Sequence, residues 1–437
     1  MIGCKIIEEI TFRGNMPIHP KKLFTLTTLY FTQGLPFGFF VHYLPIVLRR
    51  QGVSLEDIGW LGVLALPWGF KFLWSPFVDK FYLQRVGRRR SWIIPMQFLM
   101  GLSIILCMPL DLERHLFLFI LSIFLFNLFS ATQDIAVDGF AVDILTSKER
   151  GVGNSAQVAG YKLGMIIGGG VLIAYSNILG TDLVFFLMGT LIWFTLLLPL
   201  FMKEPHVHTY KPLKRECKDE GIETPVLLDL REFFRLKGAI ILIVFITFYK
   251  FGESFGGSMF KVFLVDEGFS NRDIGFIVGT YGMVFSFIGS AAGGFLVNWL
   301  GRLRSLIYFS FLQSIMLICL GIIASKEFSY SSAVIINSLE HLFGGMVTTA
   351  FFAFMMDVVD SRIGGTHYTL LASLVVAGMG SAWILAGYFA SCFGYPLLFI
   401  IGGALTLFPL PLLKKIKKDA LYLHYNRETL FQSKREV

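Results

Sequence analysis

"GFSNRDIG", residues 268 to 275, repeats "GVSLEDIG", residues 52 to 59, from the opposite half of the chain. Each copy stands immediately before a long apolar run. Ser54 and Asp57, like Ser270 and Asp273, have capping-box spacing: the serine oxygen takes an orphan helix N–H, and the acid favours the positive helix end. "DILTSKERG" (Asp143 to Gly151) is echoed by "DVVDSRIGG" (Asp357 to Gly365) at nearly the same offset. The turn from Asp79 to Arg90 is echoed by "GFLVNWLGRLR" (Gly294 to Arg304). A lone capping signal is common, but three aligned echoes argue for an internal repeat.

Composition says what is repeated. Of 437 residues, 55% are hydrophobic and only 16% charged, where a soluble domain would carry about 25% charged. The chain reads as an all-α polytopic membrane protein. Twelve apolar segments have spanning length, with limits near 23–48, 58–80, 91–110, 116–145, 153–178, 182–202, 238–265, 273–299, 304–324, 329–359, 367–391 and 395–413. Each needs about 20 residues to cross a ~30 Å core, and a lone segment satisfies its backbone there only as a helix. The longest polar interruption, Lys203 to Lys237, parts six segments from six. The expected organisation is a segment 1–22, a six-helix bundle 23–202, a linker 203–237, a second bundle 238–413 and a tail 414–437. No cleavable leader is expected, because the first apolar run is too long for one.

Charge sets the orientation. With both termini and the linker in the cytoplasm, five of the 38 Lys and Arg residues fall outside (Arg49, Arg50, Arg114, Arg272 and Lys326) and four lie within helices. The remainder lie on the cytoplasmic side, as the positive-inside rule requires. Basic runs such as "RVGRRR" (Arg85 to Arg90) are membrane anchors, so no nucleic-acid partner is expected. The five cysteines are scattered and suggest neither disulfides nor a metal site. "HVH" (His206 to His208) lacks a third ligand, and "GMIIGGG" (Gly164 to Gly170) reads as close helix packing, not a phosphate loop. No cofactor is expected.

"SATQDIAVDGFAVDIL" (Ser130 to Leu145) carries three acids at the end of an apolar run. Asp134 falls ~16 Å deep and Asp138 ~10 Å deep on the same helix face, while Asp143 sits on the opposite face at the membrane edge. Lys71 and Lys162 fall at depths comparable to the first two. The second half carries Lys250 and Glu253, an i,i+3 pair, and Glu340 with His341. A charge at the bilayer centre costs roughly 3 kcal/mol. Seven facing lipid would cost on the order of 20 kcal/mol, more than a typical stability of ~5–15 kcal/mol, so most must face one another or a wet cavity between the halves. Asp134 and Asp138 are candidates for proton coupling or cation binding, against a fixed ion pair with Lys71 or Lys162. Those lysines either hold an anionic group or pair with the acids. Lys250, Glu253, Glu340, Gln133 and Tyr161 complete the candidate solute and proton site. Asp79, Arg88, Arg89, Asp143 and Arg150 read as a cytoplasmic gate network. Lys261 is expected to snorkel to the outer surface.

"GFLVNWLGR" keeps the spacing of the signature turn of the major facilitator superfamily, which the two-bundle arrangement also resembles. "KFLWSP" (Lys71 to Pro76), "GRRRSW" (Gly87 to Trp92), "SATQDI", "ERGVGN" (Glu149 to Asn154), "GYKLGM" (Gly160 to Met165), "YKFGESF" (Tyr249 to Phe255) and "GGMVTTAF" (Gly344 to Phe351) resemble the AmpG muropeptide permeases. "GRRRSWIIPMQ" and "ATQDIAVDGFA" are equally similar to acetyl-coenzyme A transporters. "GNSAQVAGYKLG" and "THYTLLASL" are similar to major facilitator superfamily domain-containing protein 3. The resemblance implies a monomeric, proton-driven secondary transporter of a large polar conjugate, with muropeptide first and acetyl-coenzyme A second. It implies the bacterial cytoplasmic membrane in the first case and a eukaryotic cellular membrane in the second. A membrane-embedded transferase would need a nucleophile beside a base, and no such arrangement is evident, so the chain is not read as an enzyme. A non-transporting receptor or assembly factor is the alternative of another class.

Overall fold

The computed structural model describes residues 20–110, 114–145, 150–202, 204, 238–326, 328–358 and 364–418. Most of the expected N-terminal segment, linker and C-terminal tail therefore lie outside the described residues. Among the described residues all regular structure is helical. The passes are α1 (Pro20–Arg50), α2 (55–80), α3 (Arg90–Ile105), α4 (Leu116–Ile144), α5 (150–179), α6 (Thr181–Phe201), α7 (Ala239–Asp266), α8 (271–300), α9 (Arg302–Ala324), α10 (Tyr330–Asp357), α11 (Gly364–Phe393) and α12 (Tyr395–Leu407).

Ten of these passes lie in helices long and apolar enough to cross a membrane; α2 and α3 complete the twelve. Each departs from its apolar run, α2 by being broken and α3 by being short. α2 consists of Leu55–Gly59, Leu66–Phe70 and Ser75–Lys80, joined by 3-10 turns at Trp60–Ala65 and Lys71–Leu73. Pro67 and Pro76 sit in the first turns of the second and third pieces. There a missing N–H leaves no bond unmade, so each proline restarts the helix after a tighter turn. α3 stops at Ile105, 16 residues long, where the sequence suggested continuation to about 110.

The repeat is written into the backbone. Among the described residues positive φ occurs only at glycine, and six of the seven such glycines form three pairs. Gly52 (φ 80°) matches Gly268 (84°), Gly87 (118°) matches Gly301 (81°), and Gly180 (77°) matches Gly394 (78°), at the offsets of the sequence echoes. A side chain at such φ meets its own carbonyl, so glycine makes these turns at least cost, just past a helix end at each of the six but Gly87, which lies in the turn before α3. Both expected caps form: Ser54 accepts from the Asp57 N–H and Ser270 from the Asp273 N–H, each at 3.1 Å. Asp273 also accepts from the Ser270 N–H, closing the capping box.

α1 meets α7, and the two most extensive crossings between the halves are α2 along α11 and α5 against α8. They are related by the repeat, since Gly59 of α2 and Gly275 of α8 are the matching last glycines of "GVSLEDIG" and "GFSNRDIG". A Cβ at Gly62 would lie 2.4 Å from the Gly380 carbonyl oxygen, and one at Gly279 only 1.9 Å from that of Gly169. Small residues let the backbones touch, which in lipid replaces the hydrophobic drive for helix association.

Candidate functional site

A cavity of about 360 Å³ lies between the halves, walled by α1, α5, α7, α8, α9, α10 and α11. α7 brings three of its charges, Lys250, Glu253 and Lys261. The helix breaks at Lys250, between Ala239–Tyr249 and Phe251–Ser258, a discontinuity of the kind that frees backbone and side chains at carrier sites. Lys250 pairs with Glu253 and donates to Thr348 Oγ1 at 3.0 Å. On α10, Glu340 faces His341 at 2.8 Å and accepts from Gln313 Nε2 at 3.2 Å. From the first half, Lys162 reaches across to donate to Ser286 Oγ on α8 at 3.0 Å, and Tyr161 packs on Phe37. Lys162, Tyr161, Lys250, Glu253 and Glu340 therefore share one cavity.

The remaining sequence candidates lie elsewhere. Lys71 donates to Asp134 at 2.5 Å, with little of either side chain exposed, and its ammonium lies 5.4 Å from the Trp68 ring centroid. Asp138, one turn on, accepts from Tyr30. This cluster does not line the central cavity. Of the two pairings left open, Asp134 takes Lys71 and not Lys162. Gln133 is fully buried and donates to Gln97 Oε1 at 2.9 Å, while Gln97 in turn donates to Thr195 Oγ1 at 3.0 Å. Gln133 is thus turned into a helix interface, away from the cavity, because α3 and α6 offer polar partners that its own helix did not reveal. Lys261 also departs from expectation. It does not reach the surface: it is buried, donates to the Val41 carbonyl at 2.9 Å and lies 6.0 Å from the Trp383 ring centroid. The signal was present in the spacing: Lys261 stands eleven residues after Lys250, about 20° around an ideal helix from it.

A second cavity, about 230 Å³ and mostly apolar, adjoins the first and shares Phe37, Tyr161, Ser258, Lys261, Met379 and Trp383 with it. Phe37, Trp68, Tyr161 and Trp383 give it an aromatic wall, whose flat faces suit the apolar side of a ring-bearing solute.

Charge networks are arranged differently at the two ends of the bundle. At the basic end, Arg89 lies between Asp79 (2.6 Å) and Asp143 (2.8 Å), and Arg88 also reaches Asp79 at 3.2 Å. Burial alone would lower the Arg89 pKa, but hydrogen bonds and charge from Asp143 and Asp79 outweigh it and hold it above the ordinary guanidinium value. Its guanidinium fills the space beside Gly139, where a Cβ would lie 2.3 Å away. The second half repeats the device: Arg302 pairs with Asp357 at 3.0 Å. Asp357 is the counterpart of Asp143 in the echo "DVVDSRIGG", so the repeat itself pointed to this pair, which sequence reasoning passed over. The Arg150 side chain lies outside the described residues.

At the opposite end the bonds cross between halves. Arg49 makes two hydrogen bonds to Asp266, at 2.7 and 2.8 Å. Arg50 donates to Asn271 Oδ1 at 2.7 Å and to the Phe269 carbonyl at 2.6 Å. Ser391 donates to Glu56, and Trp60 to Tyr388. Among the described residues no ion pair joins the halves at the basic end.

The sequence profile of the Major Facilitator Superfamily matches residues 26–370, most of the chain. The chain belongs to the major facilitator superfamily. Within that superfamily it is 29% identical over 406 residues to the "Anhydromuropeptide permease" of Escherichia coli (strain K12), covering 92% of this chain and 81% of that one. It is 25% identical over 384 residues to "Putative transporter AmpG 4" of Rickettsia conorii, covering 86% and 91%. These similarities put it in the AmpG branch, as a multi-pass membrane transporter. Its fold is shared with a bacterial homologue of the human lysosomal transporter Spinster, solved inward-facing and unoccupied, at a TM-score of 0.66 and 16% identity over 95% of this chain and 98% of that one. A D-xylose–proton symporter is similar at a TM-score of 0.67 and 14% identity, covering 89% and 95%.

Proposed function

We propose that this major facilitator superfamily member is a monomeric, proton-coupled carrier of anhydromuropeptide-type conjugates, working by alternating access. One observation carries the reading: ionisable side chains from both halves, Lys162 from one and Lys250, Glu253 and Glu340 from the other, meet in a single cavity beneath an end latched by Arg49 and Asp266. A receptor has no need of buried charge contributed by both bundles. A carrier does, because its solute must leave water, and binding must shift the balance between two states of the halves.

The substrate class follows the named relatives, and the site suits it. The charged cavity takes the carboxylates of a peptide, and the aromatic annex takes sugar rings. On this reading the Arg49–Asp266 end is the outer gate, shut, and the two intra-half networks mark the cytoplasmic face. Proton coupling is assigned to Asp134 and Asp138. Asp134 exchanges Lys71 for a proton as the halves rock, and Asp138, more accessible, passes it to water.

The test is uptake of a radiolabelled anhydromuropeptide into proteoliposomes under an imposed pH gradient, with acetyl-coenzyme A offered in parallel. The reading expects gradient-driven accumulation of the muropeptide and its loss in Asp134→Asn. Uptake of acetyl-coenzyme A alone would reassign the substrate, and flux unchanged in Asp134→Asn would remove the proton role.

A further inference from the structure

Three lysines and two carboxylates line the central cavity, and they are not evenly matched. Lys250 is occupied by Glu253 and Thr348, and Glu340 by His341 and Gln313. Lys162 and Lys261 have no carboxylate within ion-pair distance among the described residues. An ammonium has three donors. Lys162 uses one on Ser286 Oγ and Lys261 one on the Val41 carbonyl, which leaves each with two to offer. His42 lines the same cavity, 5% exposed, and among the described residues neither of its ring nitrogens has a hydrogen-bond partner. Its titratable neighbours are Lys261, His341 and Lys162.

Ammonium groups without a counter-charge, one part-buried (Lys162) and one buried (Lys261), and a buried imidazole without a partner are each costly in an empty site. An anion supplied from outside would satisfy all of them together. We propose that Lys162, Lys261 and His42 form an anion seat that takes a carboxylate or phosphate of the transported solute. Lys162 and His42 come from the first half and Lys261 from the second, so an anion held there bridges the two bundles. Lys261 also borders the apolar annex with Trp383. A conjugate anchored by its anionic group therefore lays its ring portion along the aromatic wall. The inference rests on the carrier reading and adds to it which atoms recognise which part of the solute.

The experiment is equilibrium binding to the purified full-length protein in detergent, read by the fluorescence of its tryptophans. One arm compares an anhydromuropeptide with the same compound carrying amides in place of its peptide carboxylates. The other arm uses acetyl-coenzyme A. The seat predicts that wild type prefers the acid over the amide by about tenfold or more, the range of charge-assisted hydrogen bonds. Lys162→Gln and Lys261→Gln should each lose most of that preference while binding the amide unchanged. Lys261→Arg, which keeps the charge, should retain it and serves as the folding control. If neither muropeptide form binds but acetyl-coenzyme A binds in a lysine-dependent way, the seat stands and the substrate reading fails. Equal binding of acid and amide, binding unchanged in both glutamine variants, or no binding of any anionic probe to well-folded wild type overturns the seat.

Discussion

Arg49 and Asp266, on opposite halves of the chain, meet through two parallel hydrogen bonds of 2.7 and 2.8 Å. Tyr395 donates to the same carboxylate at 2.5 Å. The bidentate geometry fixes direction as well as charge. Since both side chains are only about one-quarter exposed, the pair works as a latch between α1 and α7.

Breaking that latch should change state populations more than fold. A partly exposed pair contributes up to about 1 kcal/mol, which is roughly a fivefold shift in a two-state equilibrium. Spin labels on cysteines at Gln51 and Glu267, both exposed, measure the separation of the halves there. Wild type should give one short, narrow distance, and Arg49→Ala a second, longer population. An unchanged distribution would show that the pair is ornament on a gate closed by packing alone.

The two basic-end networks differ in burial, and their variants should differ in stability. Arg89 is buried and holds Asp143, which has little exposure of its own, while Arg302 and Asp357 are each about one-third exposed. Arg89→Ala strands a carboxylate and should cost about 3 kcal/mol; Arg302→Ala should cost about 1 kcal/mol or less. Thermal unfolding in detergent should therefore fall much further for the first. Equal losses would contradict the assigned geometry.

Glycine substitutions separate packing within a half from packing between halves. A Cβ at Gly168 would lie 1.8 Å from the Leu35 carbonyl oxygen, inside the first bundle, and one at Gly279 would lie 1.9 Å from that of Gly169, across the interface. Overpacking of this kind costs about 1–3 kcal/mol. Gly168→Ala should lower the yield of folded protein. Gly279→Ala should fold but lose transport, because the crossing on which the halves pivot is forced apart. Normal flux in Gly279→Ala would remove the pivot.

Gln133→Ala should destabilise without changing proton dependence. Its amide satisfies Gln97 Oε1 in a fully buried network, and an orphaned acceptor there costs about 1–3 kcal/mol. Melting in detergent should fall while the pH profile of uptake stays put. A shifted profile would return Gln133 to the transport site.

Local pattern and repetition were legible in the sequence; partners on other helices were not. The serine caps at Ser54 and Ser270 form as their spacing implied, and Lys250–Glu253 is an i,i+3 pair that needs no tertiary knowledge. The Gly180 and Gly394 turns carry the same repeat, with Leu183/Leu397, Phe185/Phe399 and Gly189/Gly403 in register behind them, but apolar matches inside apolar runs do not stand out as the polar echoes do. Asp134 had two lysines at suitable depth, and only the tight turn Lys71–Leu73 in α2, set between Pro67 and Pro76, decides that Lys71 is the one turned toward it. Helical period puts Lys261 on the face of Lys250, but His42 sits in the apolar run 23–48, which has no Lys, Arg, Asp or Glu to mark the face that meets the other half. Arg49–Asp266 depends on closure between bundles, a property of the conformational state as much as of the sequence.

The measurement that reaches the centre of the account is accessibility at Ser286, where Lys162 crosses between the halves. With Ser286→Cys in a chain whose native cysteines are replaced, a membrane-impermeant charged methanethiosulfonate reagent should modify the thiol, and an anhydromuropeptide should slow that reaction. A thiol that reacts only with lipid-soluble reagents, at a rate indifferent to solute, would contradict a hydrated path between the bundles.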